Sequence, residues 1–412
     1  MLQIKHMKRI NHSFSTISFR NIFSVLLCLF WCTNFTTEVY YVFFIPIPIL
    51  LFVWICINNY RVPLLALEDK IALSFILVWL YGVIIGFIRG NQTNYIIANF
   101  AGMVCYLSYF CFSYFKCNIH TLNRILLWSG LIISLYAILK LFSYIYGISI
   151  PFIDSDVGTS STGQLRVYFT TLSISYTLLG ASFYSFTHKD SSSSSFLNIK
   201  IFSFICMVLT IAVFFFVSSS KGFLLGAAIL IIIIGLGEHV VNLFHGKLNS
   251  NLLLLLLLLF IIVFFLYYYE YFSIVDMMFD KEDASNSTRY DQLVYLLDDC
   301  SWIGKGVGAV VPGIVRSEDG PYGFELTYIN LVHKFGIFSL ILFVNWAYMF
   351  VVLIKMILRR QHRLNAIIAL SALGYLFPSI GNPMLMHPSL VVLNCLSLYY
   401  MKILREQTPL MK

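Results

Sequence analysis

Charged side chains are scarce in this chain: Asp, Glu, Lys and Arg together make up 11% of the 412 residues, while hydrophobic residues make up 59%. Soluble globular domains carry about 25% charged residues, so a soluble domain is excluded. The composition is typical of a protein with many apolar helices. We therefore predict an all-α, multi-pass membrane protein, with residues 1–412 forming one integral membrane domain.

The sequence patterns of common metal and nucleotide sites are also missing. Nine cysteines occur, but no Cys-x-x-Cys pair does, so neither a disulfide framework nor a zinc site is predicted. The run IGKGVGAVVPG is rich in glycine, yet no strand precedes it, so it is not a nucleotide-binding fingerprint. We expect its glycines to form a tight backbone that a ligand or a helix approaches closely. No metal and no cofactor are expected.

Apolar stretches near the roughly 20 residues needed to cross a bilayer occur about twelve times. The predicted spans are 21–37, 39–57, 71–88, 94–115, 121–146, 166–187, 199–217, 222–242, 251–271, 335–354, 364–381 and 385–403. Of the 27 Lys and Arg residues, 18 fall in the segments predicted inside and 7 in those predicted outside. By the positive-inside rule, both termini are predicted to be cytoplasmic. The net charge of +8 follows from this topology and does not indicate nucleic acid.

The longest polar interval separates the predicted ninth and tenth spans. Within 272–324 no apolar run is long enough to span a bilayer, and eleven of the nineteen acids lie between Glu270 and Glu325. The predicted topology makes 272–324 a large periplasmic loop. Chemistry on water-soluble groups is expected beside it.

A short amphipathic helix is predicted in this loop near 288–300, lying on the membrane surface. Its apolar residues recur at helical spacing: Tyr290, Leu293, Leu297 and Cys300. The polar residues 286–288 can cap its start. Arg289 then falls in the first turn, where a phosphate would be stabilised, although a solvated loop cation is equally open. Asp298 and Asp299 end the helix, either as contacts to an acceptor or merely as exposed acids.

Two further cations are predicted at the outer ends of spans. Arg166 follows a loop rich in Gly, Ser and Asp and opens the sixth span, and Lys221 lies in the very short turn between the seventh and eighth. A cation at the start of a helix opposes the helix dipole, so a bound anion would stabilise either one. Water at Arg166, or snorkelling of Lys221 to the surface, is the simpler alternative.

An acid/base cluster is predicted at the start of the tenth span. We expect its helix to begin at about Phe324 and to extend two to three turns beyond the bilayer. On that extension Glu325, Tyr328 and Gly336 share one face, and His333 lies about a quarter turn away. A carboxylate, a phenol and an imidazole can act as acid/base groups, although Glu325 can also simply cap a polar helix end.

Together these features resemble the superfamily of O-antigen polymerases and O-antigen ligases, membrane enzymes that act on undecaprenyl-diphosphate-linked glycans. In that family a span opens with a Ser-x-Ser-Arg-Gly-like motif, and residues 218–222 (Ser-Ser-Ser-Lys-Gly) stand in its place. A late outer loop begins near an arginine followed by a helix and a Gly-rich turn, as Arg289 and the IGKGVG run do. The ligases open the next helix with His-Asn and place a glycine eleven residues later, a spacing that Glu325 and Gly336 keep.

The resemblance covers roughly residues 160–380 and implies a C-type glycosyltransferase fold, without nucleotide sugar or metal. Because Glu325 replaces the ligase histidine, it favours a polymerase that joins undecaprenyl-diphosphate-linked repeat units on the periplasmic face of a bacterial inner membrane. A chain-length regulator and a flippase are the expected partners besides the lipid bilayer. The expected residues are Arg166, Lys221 and Arg289 for diphosphate, Glu325 or His333 as the base, and Tyr328, Asp298 and Asp299 for the glycan.

Two alternatives remain open. A ligase would share the fold and the donor but would transfer the glycan to lipid A core. A flippase or other transporter of lipid-linked glycans also has about twelve spans, but transporters usually show repeated halves and charges near the bilayer midplane. This chain shows no internal repeat, and its outer charges gather at one edge of the membrane.

Overall fold

The computed structural model describes residues 26–27, 46–57, 66–148, 158–159, 165–167, 169–187, 196–218, 220–244, 284–314, 321–359 and 362–407. The predicted first span, apart from residues 26–27, and the predicted ninth span lie outside the described residues. So does much of the predicted loop 272–324, of which 284–314 and 321–324 are described.

Helices dominate the described residues. In chain order they are α1 (Pro46–Ile57), α2 (Leu67–Ile88), α3 (Thr93–Ala101), α4 (Ser108–Phe115), α5 (Ile119–Tyr146), α6 (Ser175–Thr187), α7 (Phe196–Ala212), α8 (Lys221–Phe244), α9 (Ala284–Asp298), α10 (Thr327–Phe335), α11 (Ser339–Leu358), α12 (Arg363–Ala372) and α13 (Pro388–Glu406). Short 3-10 turns connect or extend them at Gly102–Leu107, Thr170–Ile174, Gly336–Phe338, Gly374–Leu376 and Pro378–Ile380. A π-helical turn, Val213–Val217, follows α7. Two short strands, β1 (Gly158–Thr159) and β2 (Leu165–Arg166), pair antiparallel.

Six helical stretches among the described residues are long and apolar enough to cross a membrane. They are Leu67–Ile88, Thr93–Phe115, Ile119–Tyr146, Ile199–Val217, Thr327–Leu358 and Arg363–Ile380. These six match the predicted third, fourth, fifth, seventh, tenth and eleventh spans. The prediction of an all-α, multi-pass membrane protein is confirmed, whereas the count of about twelve spans stays a prediction.

Small residues let the spans pack closely. A Cβ atom on Gly82 of α2 would lie 2.2 Å from the Phe335 ring, and one on Gly180 of α6 would lie 2.0 Å from the Ser371 hydroxyl. Lipid is as apolar as leucine, so burial of apolar surface does not by itself drive spans together. Close backbone approach at glycine supplies the contact instead.

One end of the bundle is held by buried ion pairs. Lys402 Nζ lies 2.8 Å from Asp69 Oδ1, which also accepts a hydrogen bond of 2.6 Å from the Tyr109 hydroxyl. Beside this pair, Arg405 Nη1 lies 2.9 Å from Glu68 Oε1. Both carboxylates are buried, so each is stabilised by its partner. The pairs join the first turn of α2 to the last turn of α13, and the predicted topology requires these two ends to lie on the same, cytoplasmic side.

The Lys402–Asp69 pair is predicted to stabilise the folded protein. Lys402→Met leaves the Asp69 carboxylate buried without its cation, which we expect to lower the free energy of unfolding by about 3 kcal/mol. Adding Asp69→Asn removes the stranded charge and should recover part of that loss. Thermal unfolding of the detergent-solubilised protein measures both effects. Lys70→Met, at an exposed lysine on the same helix, is the control; equal losses in Lys402→Met and Lys70→Met would contradict the prediction.

Candidate functional site

An ion pair marks the other end of the bundle. Arg289 Nε on α9 lies 2.9 Å from Glu325 Oε2, and the two side chains are 31% and 20% exposed. The guanidinium also lies beside Gly381, because a Cβ atom added to this glycine would be 3.5 Å from the Arg289 Nε. The Nε–H is not aligned with the carboxylate as a hydrogen bond, so the contact is electrostatic. Two residues predicted as anion ligand and base are therefore brought together, and each side chain is partly exposed.

The predicted start of the tenth helix is wrong. α10 begins at Thr327, because the Glu325 carbonyl accepts the Thr327 N–H at 2.9 Å and Leu326 has a non-helical ψ of 70°. A helix that began at about Phe324 would instead use this carbonyl to accept the N–H four residues later. The Glu325 N–H donates to Gln292 Oε1 at 2.9 Å, which holds this residue against α9. Glu325, Tyr328 and Gly336 consequently do not share one helical face.

The predicted boundaries of the loop helix also need correction. α9 begins at Ala284, so residues 286–288 lie inside it and Arg289 falls in its second turn. The helix dipole is weaker there, and the carboxylate of Glu325 is the charged group that Arg289 contacts. Tyr290 and Leu297 are exposed, as they would be in a helix that lies on a membrane surface. The spacing of apolar residues thus predicted the helix correctly, and its position on the membrane stays a prediction.

Gln292 is the residue of this site that sequence analysis missed. Its side chain is fully buried and holds the backbone of Glu325, while its Nε2 has no hydrogen-bond partner among the described residues. A buried donor left unpaired costs about 1–3 kcal/mol, so a ligand oxygen beside it would be stabilised. The available signal was its position three residues after Arg289, which puts both on one helical face.

The other two predicted anion-binding cations lie on turns that contact the same region. The Val167 N–H, next to Arg166, donates to the Val217 carbonyl at 2.8 Å, at the turn that leads to Lys221. The following residue, Gly222, packs on Pro378. A Cβ atom added to Gly222 would lie only 2.7 Å from the Pro378 Cα. Pro378 opens the short turn that ends beside Arg289. A series of backbone contacts therefore links the three cation-bearing segments.

Neither Arg166 nor Lys221 is neutralised by a neighbouring acid in the described part of the chain. Both side chains are exposed, and no ion pair involves either of them there. Exposed cations on adjoining turns attract anions from water. Whether Arg166, Lys221 and Arg289 bind one anion together stays a prediction.

A second polar cluster lies where α9 ends. His333 Nε2 donates to Asp299 Oδ2 at 2.8 Å, and Lys305 Nζ donates to Asp299 Oδ1 at 2.5 Å. Burial raises the Asp299 pKa, but these two donors outweigh it and hold the pKa below the ordinary value. The His333 ring is fully buried, and a general base must reach the proton it removes. The geometry therefore favours Glu325 over His333 as a base, and His333 stays a prediction.

The remaining predicted residues are Tyr328 and Asp298. Tyr328 donates its hydroxyl hydrogen to the Leu376 carbonyl at 2.7 Å, so this group is already used inside the protein. Asp298 is exposed at the end of α9. Their roles as glycan contacts stay predictions. Among the described residues, no group of three or more His, Cys, Asp or Glu is arranged to hold a metal ion.

The Gly-rich run is pressed against two helices. Gly306, with φ +83°, has so little space that a Cβ would lie 2.2 Å from the Gly86 nitrogen of α2. The Gly306 N–H donates to the Lys334 carbonyl at 2.9 Å, and the Val307 N–H donates to the Gly82 carbonyl at 2.8 Å. The predicted tight backbone is thus confirmed, and helices are what approach it.

Lys334, which sequence analysis placed only at the edge of a span, is fully buried. Its ammonium donates to Asn99 Oδ1 and, at 3.0 Å, to the Tyr322 carbonyl. It also lies 5.8 Å from the centre of the Tyr322 ring. This lysine therefore joins the segment before α10 to α3.

The depressed pKa of Asp299 predicts an acid-dependent loss of stability. Because the folded pKa lies below the ordinary value of 3.8, the contribution is complete above that value and is lost as the pH falls through the folded pKa. Asp299→Asn should therefore lower the melting temperature by a constant amount above about pH 5, and the difference from wild type should shrink below about pH 4. Asp291→Asn, at an exposed acid of α9, is the control. It should leave the melting temperature unchanged both above about pH 5 and below about pH 4. A wild-type advantage that persists undiminished at about pH 3 would contradict the prediction.

Comparison with known proteins adds no family to these observations. No family model matches the chain, and no curated protein sequence matches it. The resemblance to O-antigen polymerases and ligases therefore rests on the motif positions alone. What the end of the bundle near Arg289 and Glu325 does is inferred from its own residues.

Proposed function

We propose that this protein is a membrane glycosyltransferase that takes its donor glycan from a lipid diphosphate, with Arg289 and Glu325 at the centre of the site. The observation that carries the proposal is the partly exposed Arg289–Glu325 pair at 2.9 Å. Gly381, just after the turn that Pro378 opens, lies beside Arg289, and Gly222, next to Lys221, packs on Pro378. A cation suits the leaving diphosphate and a carboxylate suits the attacking hydroxyl. Both groups are needed in a transfer that uses no metal.

The proposed reaction is a displacement at the anomeric carbon of the donor sugar. An acceptor sugar hydroxyl attacks this carbon, the bond to the diphosphate oxygen breaks, and the lipid diphosphate leaves with the bonding electrons. Glu325 accepts the hydroxyl proton and later passes it to water. Arg289, Arg166 and Lys221 stabilise the negative charge that develops on the leaving diphosphate.

The ion pair also suggests how donor binding prepares the base. Without substrate, Arg289 neutralises Glu325. A diphosphate carries more charge than one carboxylate and competes for the guanidinium, which it can bind with two parallel hydrogen bonds. Glu325 is then released to accept a proton only when the donor is in place.

The wider proposal follows the family resemblance. The donor is an undecaprenyl-diphosphate-linked repeat unit, the site faces the periplasm, and the protein lies in a bacterial inner membrane with about twelve spans. A flippase would supply the donor and a chain-length regulator would control the product. Polymerase is preferred to ligase because Glu325 occupies the position of the ligase histidine.

Deletion of the gene separates the functional classes. If the protein is the polymerase, the lipopolysaccharide of the deletion strain should carry single repeat units instead of a ladder, because ligation continues without chain growth. Gel electrophoresis of extracted lipopolysaccharide measures this, with a plasmid copy of the gene as control. Bare core would identify the ligase instead. Ladders of wild-type length would exclude both enzymes.

Substitutions at the ion pair test the mechanism. Arg289→Ala and Glu325→Gln should each reduce polymer formation at least about a hundredfold, since each removes a charged contact to the transition state. Arg289→Lys should recover little if the diphosphate is bound by a two-pronged guanidinium. Lys221→Arg should be tolerated, because the family motif has arginine at that position.

The matched control for these variants is Arg89→Ala, which removes an exposed arginine at the outer end of α2. It should leave the ladder unchanged. Membrane abundance of every variant is measured by immunoblot, so that loss of protein is not mistaken for loss of activity. Full ladders in both Arg289→Ala and Lys221→Ala would contradict the role of the cations. Full ladders in Glu325→Gln would remove Glu325 as the base.

A further inference from the structure

Trp302 projects from the protein in a backbone that is firmly held. The side chain is 84% exposed, which exceeds every other large hydrophobic residue among those described, and its neighbour Ile303 is 53% exposed. The Trp302 carbonyl accepts the Ile337 N–H at 2.9 Å, and the Ile303 carbonyl accepts the Tyr81 hydroxyl at 2.7 Å. Two large apolar side chains are therefore directed outward by a turn that is bonded to the bundle.

The residues that hold this turn belong to two candidate membrane spans: Tyr81 lies about two turns before the end of Leu67–Ile88, and Ile337 lies within Thr327–Leu358. Ile337 immediately precedes Phe338 and α11, and the Phe338 ring contacts the Tyr81 ring of α2 with centroids 4.4 Å apart. Ile337 and Phe338 are themselves exposed, and the exposed apolar surface continues along α11 through Leu340 and Val344. The Trp302–Ile303 turn is thus continuous with a surface that faces lipid.

The length of α11 sets the depth of the turn in the membrane. Its 20 residues rise about 30 Å, which is the thickness of a bilayer hydrocarbon core. Because the turn is bonded to the residue just before α11, it lies where the hydrocarbon ends and the headgroups begin. Tryptophan prefers this depth, since its ring is apolar and its N–H can bond to headgroups or water.

The exposed side of α9 points to the same partner. Tyr290, Val294 and Leu297 are exposed and follow one another at helical spacing, so they form a single apolar stripe. The acids of this helix, Asp291 and Asp298, lie beside the stripe. An exposed apolar stripe next to a polar face is typical of a helix lying in the membrane interface.

We propose that the Trp302–Ile303 turn is a membrane anchor that inserts into the headgroup layer of the outer leaflet. The anchor fixes the height of the Gly-rich run and of the Asp299–Lys305–His333 cluster that adjoins it. Its partner is the lipid surface itself. The proposal stands independently of the glycosyltransferase function, because it concerns only where this part of the chain lies.

The experiment measures the depth of the Trp302 side chain by fluorescence quenching. The full chain and its Trp302→Phe variant are reconstituted into phosphatidylcholine vesicles. Bromine atoms are attached either near the headgroup end or near the far end of the lipid chain. The chain contains six tryptophans, so subtracting the variant's emission from that of wild type isolates Trp302. We expect this difference emission to lose most of its intensity with the shallow bromines, less with the deep ones, and little with aqueous iodide.

Two other tryptophans calibrate the measurement. Trp128 is 59% exposed and lies well inside the span Ile119–Tyr146, so the emission removed by Trp128→Phe should be quenched best by the deep bromines. Trp346 is 6% exposed, and the emission removed by Trp346→Phe should respond weakly to every quencher. Matching melting temperatures verify that the variants are folded.

Two results would overturn the anchor. If the Trp302 emission is quenched by aqueous iodide and not by brominated lipid, the turn projects into water. If no quencher affects it, another protein surface covers the side chain.

Discussion

The end of the bundle that carries Arg289 and Glu325 depends on a backbone seam between the Gly-rich run and two helices. Gly304 and Gly306 both have positive φ, and in each case a Cβ would collide with backbone atoms of α10 or α2. The amide groups of Lys305, Gly306 and Val307 donate to carbonyls of these helices, and the amide of Asn91 donates to the carbonyls of residues 305 and 307. Backbone groups near lipid must be satisfied within the protein, which is what this seam achieves.

The polar groups at this end of the bundle take their positions from that seam and from α9. Lys305 lies within the run itself and reaches Asp299, which in turn holds the buried His333. In the middle of α9, Gln292 binds the backbone of Glu325, and the Glu325 carboxylate lies beside Arg289. Each charged group of these two clusters has an opposite charge or a hydrogen-bond partner close by. Desolvated charges at a membrane surface are tolerable only under that condition.

In the proposed reaction on a charged lipid-linked donor, Arg289 would contact both the base and the donor. The segments that carry Arg166, Lys221 and Arg289 are connected through contacts at Val217, Gly222, Pro378 and Gly381. A diphosphate bound among them would connect these segments, and it would compete with Glu325 for Arg289. In the proposed function, binding of the donor and release of the base are therefore one event, which would limit loss of the activated sugar to water.

The sequence by itself determined the membrane class, the apolar spans and the existence of a helix near Arg289, because composition and helical spacing are local properties. It also identified the Gly-rich run as a tight backbone, since closely spaced glycines permit conformations that other residues avoid. Only the tertiary structure decided that Glu325 precedes its helix, that Gln292 holds it and that His333 is buried against Asp299. These depend on contacts between residues far apart in the chain, such as the hydrogen bond from the Glu325 N–H to the Gln292 side chain of α9. The exposure of Trp302 is likewise a consequence of packing, because a tryptophan between a helix and a glycine run suits either a core or a surface.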